Sequence, residues 1–483
     1  MAEAAPTPGV LAYGAYIPTA RLQRSARGAV LGTSGGKGTR AVASYDEDTT
    51  SIGVEAARLA LRGRGVVPDQ LIFATASPAY LDKTNATAIH AALSLPRSAL
   101  AFDAGGAVRS GVGAVFSALR SNGPTLVVLS DLRGGVPGSA DEVAAGDAAA
   151  ALVVGTGGPE APVLAEVLGQ ASATAEFLDR WRLPGQAHPG TWEERFGEHA
   201  YLPLADEAFA AALKDAELTP DQVDHLIVAG THGRACRAWA TRSGAAAEAV
   251  VNDRTAAIGN PGTAQPWVLL ADVLDRAGGG EVIVVMVLAD GASALVLRTT
   301  DALAAGRSAV SVAAQIAGGD DTLAYGAFLT WKGSLDRESP RRPDPTPPAA
   351  PPSLRTSAWK YAFEGSRCTA CATRHMPPAR VCRRCHEVDQ MVPEPMADVP
   401  AAVSTFTIDR LAFTPSPPLI GAVVDFDGGG RTNIELTDCD PAWVAIGRRV
   451  ELTFRRTLTA GGIHNYSWKA RPLRSSTDPG QAS

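Results

Sequence analysis

The sequence predicts an α/β core built from two copies of one unit, followed by a cysteine-bearing segment and a small β-barrel. Three observations predict it. Over the first 335 residues short, continuous apolar runs alternate with Ala/Leu-rich helical segments, the pattern of buried sheets covered by helices. Two stretches echo each other, GDAAAALVVG (Gly146–Gly155) and ADGASALVLRT (Ala289–Thr299): each is an acidic Gly/Ala turn running into a small-residue strand. They end two halves of about 150 residues each, as a tandem duplication would leave them. From Val403 onward the style changes to short alternating strands with glycine turns, as a small barrel needs.

In chain order, Leu71–Thr75, Thr125–Leu129, Leu226–Ala229 and Val282–Leu288 read as buried strands, being β-branched or apolar throughout and bounded by turn residues. Thr50–Leu61, Ala86–Leu95, Val112–Arg120, Ala205–Ala216 and Trp267–Ala277 read as helices. The stretch Asp336–Ser353 has seven prolines in eighteen residues, so it is expected to form neither helix nor central strand and to run as a semi-rigid spacer. Beyond it Val403–Ile408, Leu419–Phe426, Thr432–Leu436, Arg449–Arg455 and Tyr466–Ala470 are the barrel strands, with Gly428–Gly430 and Gly461–Gly462 as turns.

Composition excludes several classes. The chain has 483 residues, 46% hydrophobic and 19% charged, which is globular and too long for one ordinary domain. Its net charge is −6, without the basic excess of a nucleic-acid binder. No apolar run reaches membrane-spanning length, and MAEAAPTPGV lacks the basic start and apolar core of a signal peptide. A cytoplasmic protein with no membrane and no nucleic-acid partner is expected. Four of the six cysteines are Cys368-x-x-Cys371 and Cys382-x-x-Cys385, ten residues apart. Two thiolate knuckles can close a tetrahedral structural zinc site. Cys236 and Cys439 stand apart from it.

Five stretches run in order along residues 8–334: GVLAYGAYIP (Gly9–Pro18), TASPAYLDKTNATAIHAAL (Thr75–Leu93), EFLDRWR (Glu176–Arg182), IGNPGTA (Ile258–Ala264) and LAYGAFLTWKG (Leu323–Gly333). Together they resemble the 3-hydroxy-3-methylglutaryl-CoA synthase-like enzymes of the thiolase superfamily. The four cysteines and VVDFDGGGR (Val423–Arg431) resemble the rubredoxin-like zinc ribbon and OB-fold found beside thiolases. The resemblance implies a duplicated five-layer thiolase-like domain over 1–335, with halves of about 1–160 and 161–335. It also implies a linker at 336–355, a ribbon at 356–395, an OB-fold at 396–474 and a tail at 475–483. It further implies a homodimer acting on an acyl-CoA or acyl-carrier-protein thioester.

The family's chemistry uses a nucleophilic Cys at a helix N-terminus, a Glu for proton transfer, and a His and an Asn that hold the thioester oxygen. Anchored on Asp103 and Arg109-Ser110-Gly111, the Cys position falls on Val108, and the Glu position falls on Ala76. His232 of AGTHGR and Asn260 of GNPGTA match the polarising pair. Tyr325 matches a tyrosine common in the synthases, and with Tyr80 it is a candidate for proton transfer; packing is the alternative for both. Cys236 and Ser110 are the other candidate nucleophiles, against plain structural roles. Three readings follow. The first is an enzyme that makes or breaks a C–C bond beside a thioester without an acyl-enzyme, by aldol or retro-aldol chemistry. The second is a synthase or acyltransferase with an unusual nucleophile. The third is a non-catalytic acyl-CoA-binding scaffold.

Overall fold

A computed structural model describes residues 8–338, 341 and 345–474. The tail at 475–483 and part of the proline-rich spacer lie outside them. The chain divides into two units: one is 1–43, 55–86 and 97–325, the other 44–54, 87–96 and 326–483.

The first unit is organised by a nine-stranded mixed sheet. Its order is His225–Gly230, Val282–Leu288, Ala292–Thr299, Ala165–Ala173, Pro8–Tyr16, Asp147–Thr156, Thr125–Leu132, Gln70–Thr75 and Leu100–Gly105. The duplication is visible in the pairing. Pro8–Tyr16 pairs antiparallel with Asp147–Thr156, as Ala165–Ala173 does with Ala292–Thr299. Thr125–Leu132 then runs parallel to Gln70–Thr75, as Val282–Leu288 does to His225–Gly230. The two echoing stretches of the sequence are thus equivalent strands. Glycines repeat the symmetry: a Cβ on Gly14 would lie 2.6 Å from the backbone of Ala56 and Ala60, and one on Gly169 would lie 2.6 Å from Ala212 O. At both places a helix packs directly on a strand.

Two helices, Arg109–Ala118 and Gln265–Leu274, fill the middle. Every residue of Gln265–Leu274 is buried. Val112, Val115, Trp267 and Leu270 share one core with Ile72 and Val127 of one half and Ile227 and Val285 of the other. A second core packs Glu194–Asp215 and Gly233–Ala240 on the far face of the second half, through Ala208, Phe209, Ala235 and Trp239. This is the expected layering of helices and sheets. The predicted elements are present, most extended by a few residues; the helix expected at Ala205–Ala216 runs Glu194–Asp215 with Pro203 inside it.

In the second unit Glu364–Cys368 is flanked by Arg374–His375 and Met391–Pro395 in a three-stranded ribbon. A closed barrel follows, in the order Ala401–Asp409, Leu419–Phe426, Arg431–Leu436, Ile463–Pro472 and Arg449–Ala460. Its alternation is strict in Leu419–Phe426, where Ile420, Ala422, Val424 and Phe426 point inward. Phe363, just before the ribbon, packs on Phe426 and Trp468 of the barrel.

Two expectations need correction. The spacer is not free of helix: Ala350–Arg355 is helical. Pro351 and Pro352 sit in its first turn, where the missing N–H has no intrahelical partner to lose. The boundary is also not a single cut at 336. Ser44–Val54 and Thr87–Pro96 belong with the C-terminal unit, which begins at Gly326. The cause for the first segment is ionic. Asp46, Glu47 and Asp48 are at most 6% exposed. Arg455 lies 2.7 Å from Glu47 and 3.3 Å from Asp46, Lys469 lies 2.9 Å from Asp46, and Tyr466 donates to Asp48 at 2.7 Å.

Candidate functional site

Val108 stands at the N-terminus of the helix Arg109–Ala118 and lines a cavity of about 770 Å³ in the first unit. Ala76, Tyr80, Tyr201, Thr231 and Asp290 line it as well. Val108 and Ala76, the residues that the resemblance sets at the nucleophile and acid/base positions, therefore share one cavity, and both are aliphatic. A valine at the mouth of the helix leaves its N-terminal dipole without a thiolate to stabilise.

His232 and Asn260 are each 9% exposed and outside the lining, but Thr231, next to His232, and Arg133, which donates to Asn260 O, belong to it. His232 follows the strand His225–Gly230 and caps the helix Gly233–Ala240, its Nδ1 accepting the Ala235 N–H at 3.0 Å. A neutral imidazole so held carries its proton on Nε2. Its ring lies 5.9 Å from that of Tyr201, a residue of the lining. A Cβ on Gly197 would come within 2.6 Å of His232 Nε2, so only glycine fits there. The Asn260 Nδ2 donates to Gly230 O at 2.7 Å, two residues before His232, and its Oδ1 accepts the Gly262 N–H at 2.8 Å. One of the two amide hydrogens thus ties Asn260 to the strand that delivers His232.

The cavity also holds charge that the motifs did not signal. Asp131 is fully buried and accepts from Thr75 Oγ1 at 3.0 Å, Ala76 N–H at 2.7 Å and Thr263 N–H at 2.8 Å. Burial pushes its carboxyl up, against those hydrogen bonds. Arg133 lines the cavity and donates to Asn260 O at 3.3 Å; burial and then Arg180 push its guanidinium down to about 10. Arg182 reaches the carbonyl of Ala76. Asp290, also in the lining, reads in the sequence only as half of an Asp-Gly turn.

The remaining candidates lie elsewhere. The Tyr325 hydroxyl donates to both oxygens of the buried Glu142, at 2.9 and 3.2 Å, and Tyr325 is not among the residues lining the cavity. Cys236 is 7% exposed, outside the lining, and burial pushes its thiol up to about 12. The Ser110 hydroxyl donates to Gly105 O at 3.0 Å. Tyr80 does line the cavity.

In the second unit the sulfurs of Cys368, Cys371, Cys382 and Cys385 lie within 4.8 Å of one another, with Cys368–Cys385 at 3.6 Å and Cys371–Cys382 at 3.5 Å. Four thiolates about 2.3 Å from a tetrahedral zinc stand roughly 3.8 Å apart, and the donor set is all sulfur. The residues fit that metal in a structural role.

The family model of the ChsH2 rubredoxin-like zinc ribbon domain matches residues 360–391, and that of the ChsH2 C-terminal OB-fold domain matches 395–455. The hydroxymethylglutaryl-CoA synthase of Aeropyrum pernix is 31% identical over 314 residues, 61% of this chain and 86% of the relative. That of Methanopyrus kandleri is 28% identical over 59% of this chain and 85% of its own length. Among solved structures, MvaS in complex with 3-hydroxy-3-methylglutaryl coenzyme A superposes with a TM-score of 0.58 at 19% identity, covering 71% of this chain and 95% of that one. The 3-oxoacyl-(acyl carrier protein) synthase III, FabH, of Pseudomonas aeruginosa gives 0.54 at 20%, covering 61% and 98%. These two share the thiolase-like fold. The chain belongs to the hydroxymethylglutaryl-CoA synthase family, with a zinc ribbon and an OB-fold joined to its synthase-like domain.

Proposed function

We propose that this protein is an acyl-thioester enzyme that forms or cleaves a C–C bond without a covalent acyl-enzyme, by aldol or retro-aldol chemistry. One observation supports the reading: Val108, matched by the resemblance to the nucleophile position, lines the cavity, and His232 and Asn260 adjoin the lining residues Thr231 and Arg133. Acyl transfer needs a group to receive the acyl chain. Aldol chemistry needs only an enolate held by hydrogen-bond donors. His232 and Asn260, matched to the polarising pair by the resemblance, are taken as those donors; Thr231, which precedes His232, and Arg133, which donates to Asn260 O, line the cavity. The thioester is that of CoA or a carrier protein, in keeping with relatives described as CoA and acyl-carrier-protein synthases. The four-cysteine ribbon holds a structural zinc and takes no part in the chemistry.

The reading includes a homodimer. Leu100–Gly105 is an edge strand of the nine-stranded sheet and leaves Leu100 58% and Phe102 37% exposed. An open apolar edge of this kind is expected to pair with another chain.

The test is incubation with a panel of 3-hydroxyacyl-CoAs, following released aldehyde or ketone, with intact mass measured in parallel. Carbonyl release without an acyl adduct is expected. Val108→Cys restores a thiol at a helix N-terminus and is expected to gain an adduct. A stable adduct on the unmodified protein would defeat the reading in favour of an acyltransferase.

A further inference from the structure

Ala76 and Val108 carry no exchangeable side-chain proton and Tyr325 is committed to Glu142 outside the cavity, which leaves Tyr80 as the earlier proton-transfer candidate in the lining. Asp290 is a carboxylate in the cavity lining that neither the motifs nor the family resemblance assigns. It lies in the tight turn between the strands Val282–Leu288 and Ala292–Thr299, with φ at 45°, and Gly291 follows at 121°. Its backbone is held from both sides. The Asp290 N–H donates to the Tyr201 hydroxyl at 3.3 Å. Arg109, next to Val108, donates to Asp290 O at 2.8 Å and Ala289 O at 3.2 Å, and anchors on Thr174 Oγ1 at 2.7 Å. A Cβ at Gly291 would strike this guanidinium, at 2.2 Å. The turn is thus clamped to the helix that begins at the vacated nucleophile position and to the tyrosine beside His232.

The carboxylate itself is treated differently from the others in the cavity. Asp131 and Asp103 accept several protein hydrogen bonds each. Among the described residues, no hydrogen bond or ion pair holds the Asp290 carboxylate. Asp290 is itself exposed, and Arg109, Asp179 and Glu176 are the charges around it; the partial burial its carboxyl has raises it, with Arg109 opposing and the two acids adding. That is the direction a base working near neutral pH needs. A rigid backbone with an uncommitted carboxylate in the cavity is how a proton-transfer group is built.

Resting on the reading above, we propose that Asp290 is the catalytic residue that moves the proton. In the cleavage direction Asp290 takes the proton of the substrate's 3-hydroxyl, and the O–H pair becomes the new carbonyl. The C2–C3 pair moves to C2 as the thioester enolate, its oxygen held by His232 and Asn260. Asp290, now protonated, returns that proton to C2, giving the shortened acyl thioester. In the forward direction the same carboxylate removes the C2 proton and delivers it to the new alkoxide. One proton circulates and no further reactant is required.

The experiment separates this step from the overall reaction. The full chain and Asp290→Asn are incubated with acetyl-CoA and propionyl-CoA in D₂O, and deuterium at C2 is followed by mass spectrometry; carbonyl release from 3-hydroxyacyl-CoAs is measured beside it. Asparagine tolerates a left-handed turn as aspartate does, so Asp290→Asn is expected to keep its thermal midpoint. It is expected to lose exchange and release together, by about 10²–10⁴-fold, and to lose the acid limb of the pH–rate profile. If Asp290 only shapes the turn, Asn keeps the rate and the profile, and the proposal is overturned while the enzymatic reading stands. No exchange and no release by the unmodified protein would overturn both. Should Asp290→Asn unfold, Asp290→Gly, which suits the turn equally, is read against the same outcomes.

Discussion

The Ala235 N–H donates to His232 Nδ1 at 3.0 Å, so the neutral imidazole presents its Nε2–H as a donor. A residue that merely capped a helix would do this much, and replacing it would cost helix stability alone. A residue that holds an enolate oxygen would cost rate. His232→Ala is expected to lower carbonyl release by about 10²–10³-fold, the usual loss for one oxyanion donor. Asn260→Asp removes the donor while keeping the acceptor for Gly262, and is expected to fall as far. The double variant is expected to be less than additive, since both donors act on one oxygen. Single-turnover rates and thermal midpoints of the three variants check this.

Cys236 lies on the same helix, four residues on, but its thiol is buried and pushed up to about 12, so it is protonated at neutral pH. A protonated, enclosed thiol is a poor nucleophile. Cys236→Ala is expected to keep activity within about two-fold, and Cys236 is expected to escape alkylation by iodoacetamide in the native state. Peptide mapping after brief labelling decides it. An acyl group found on Cys236 would turn the mechanism to a covalent one.

The two-fold repeat was legible because each copy ends in the same Gly/Ala turn and small-residue strand, and those strands, Asp147–Thr156 and Ala292–Thr299, occupy equivalent places in the sheet. The places of His232, Asn260, Val108 and Ala76 at strand or helix ends were legible because each falls in a short motif; their roles rest on the resemblance. Asp290 was not legible, because Asp-Gly between two strands is explained by the turn alone; only the cavity gives its carboxylate a further role. Tyr325 was misleading for the opposite reason. Its motif placed it in the family, but Glu142, 183 residues earlier, takes its hydroxyl. The docking of Asp46–Asp48 on the barrel was invisible too, since three acidic residues before a helix read as a solvated helix start.

The four-cysteine ribbon is expected to hold a single zinc per chain, measurable by elemental analysis of freshly purified protein. Because thiolate binding and folding are coupled, Cys368→Ser is expected to lose the metal and unfold the ribbon. The first unit has its own core, around Trp267 and Val285, and is expected to keep its cooperative melting transition in that variant. Zinc-free protein with an intact ribbon would contradict the structural role.

Arg455 is fully buried and pairs with Glu47 at 2.7 Å, Asp438 at 2.6 Å and Asp46 at 3.3 Å. Charges so enclosed are costly to bury and costlier to leave unpaired, so Arg455→Ala is expected to destabilise the second unit by about 3–5 kcal/mol. The pH dependence gives the sharper check. Burial alone would raise the Asp46 carboxyl, but Arg455 and Lys469 outweigh it and hold it below its ordinary 3.8. A carboxyl lowered by folding contributes stability that is full above its unfolded value and is lost as pH falls through the folded one. The unmodified protein is therefore expected to keep this contribution down to about pH 4 and lose it only in stronger acid. In Arg455→Ala the burial that remains favours the protonated acid, so the deficit is expected to be widest near neutral pH and to narrow on acidification. Urea unfolding across this range, followed by fluorescence of Trp468 in the barrel, reads both curves; a deficit that stays constant with pH would show that Arg455 acts through packing and not through its charge.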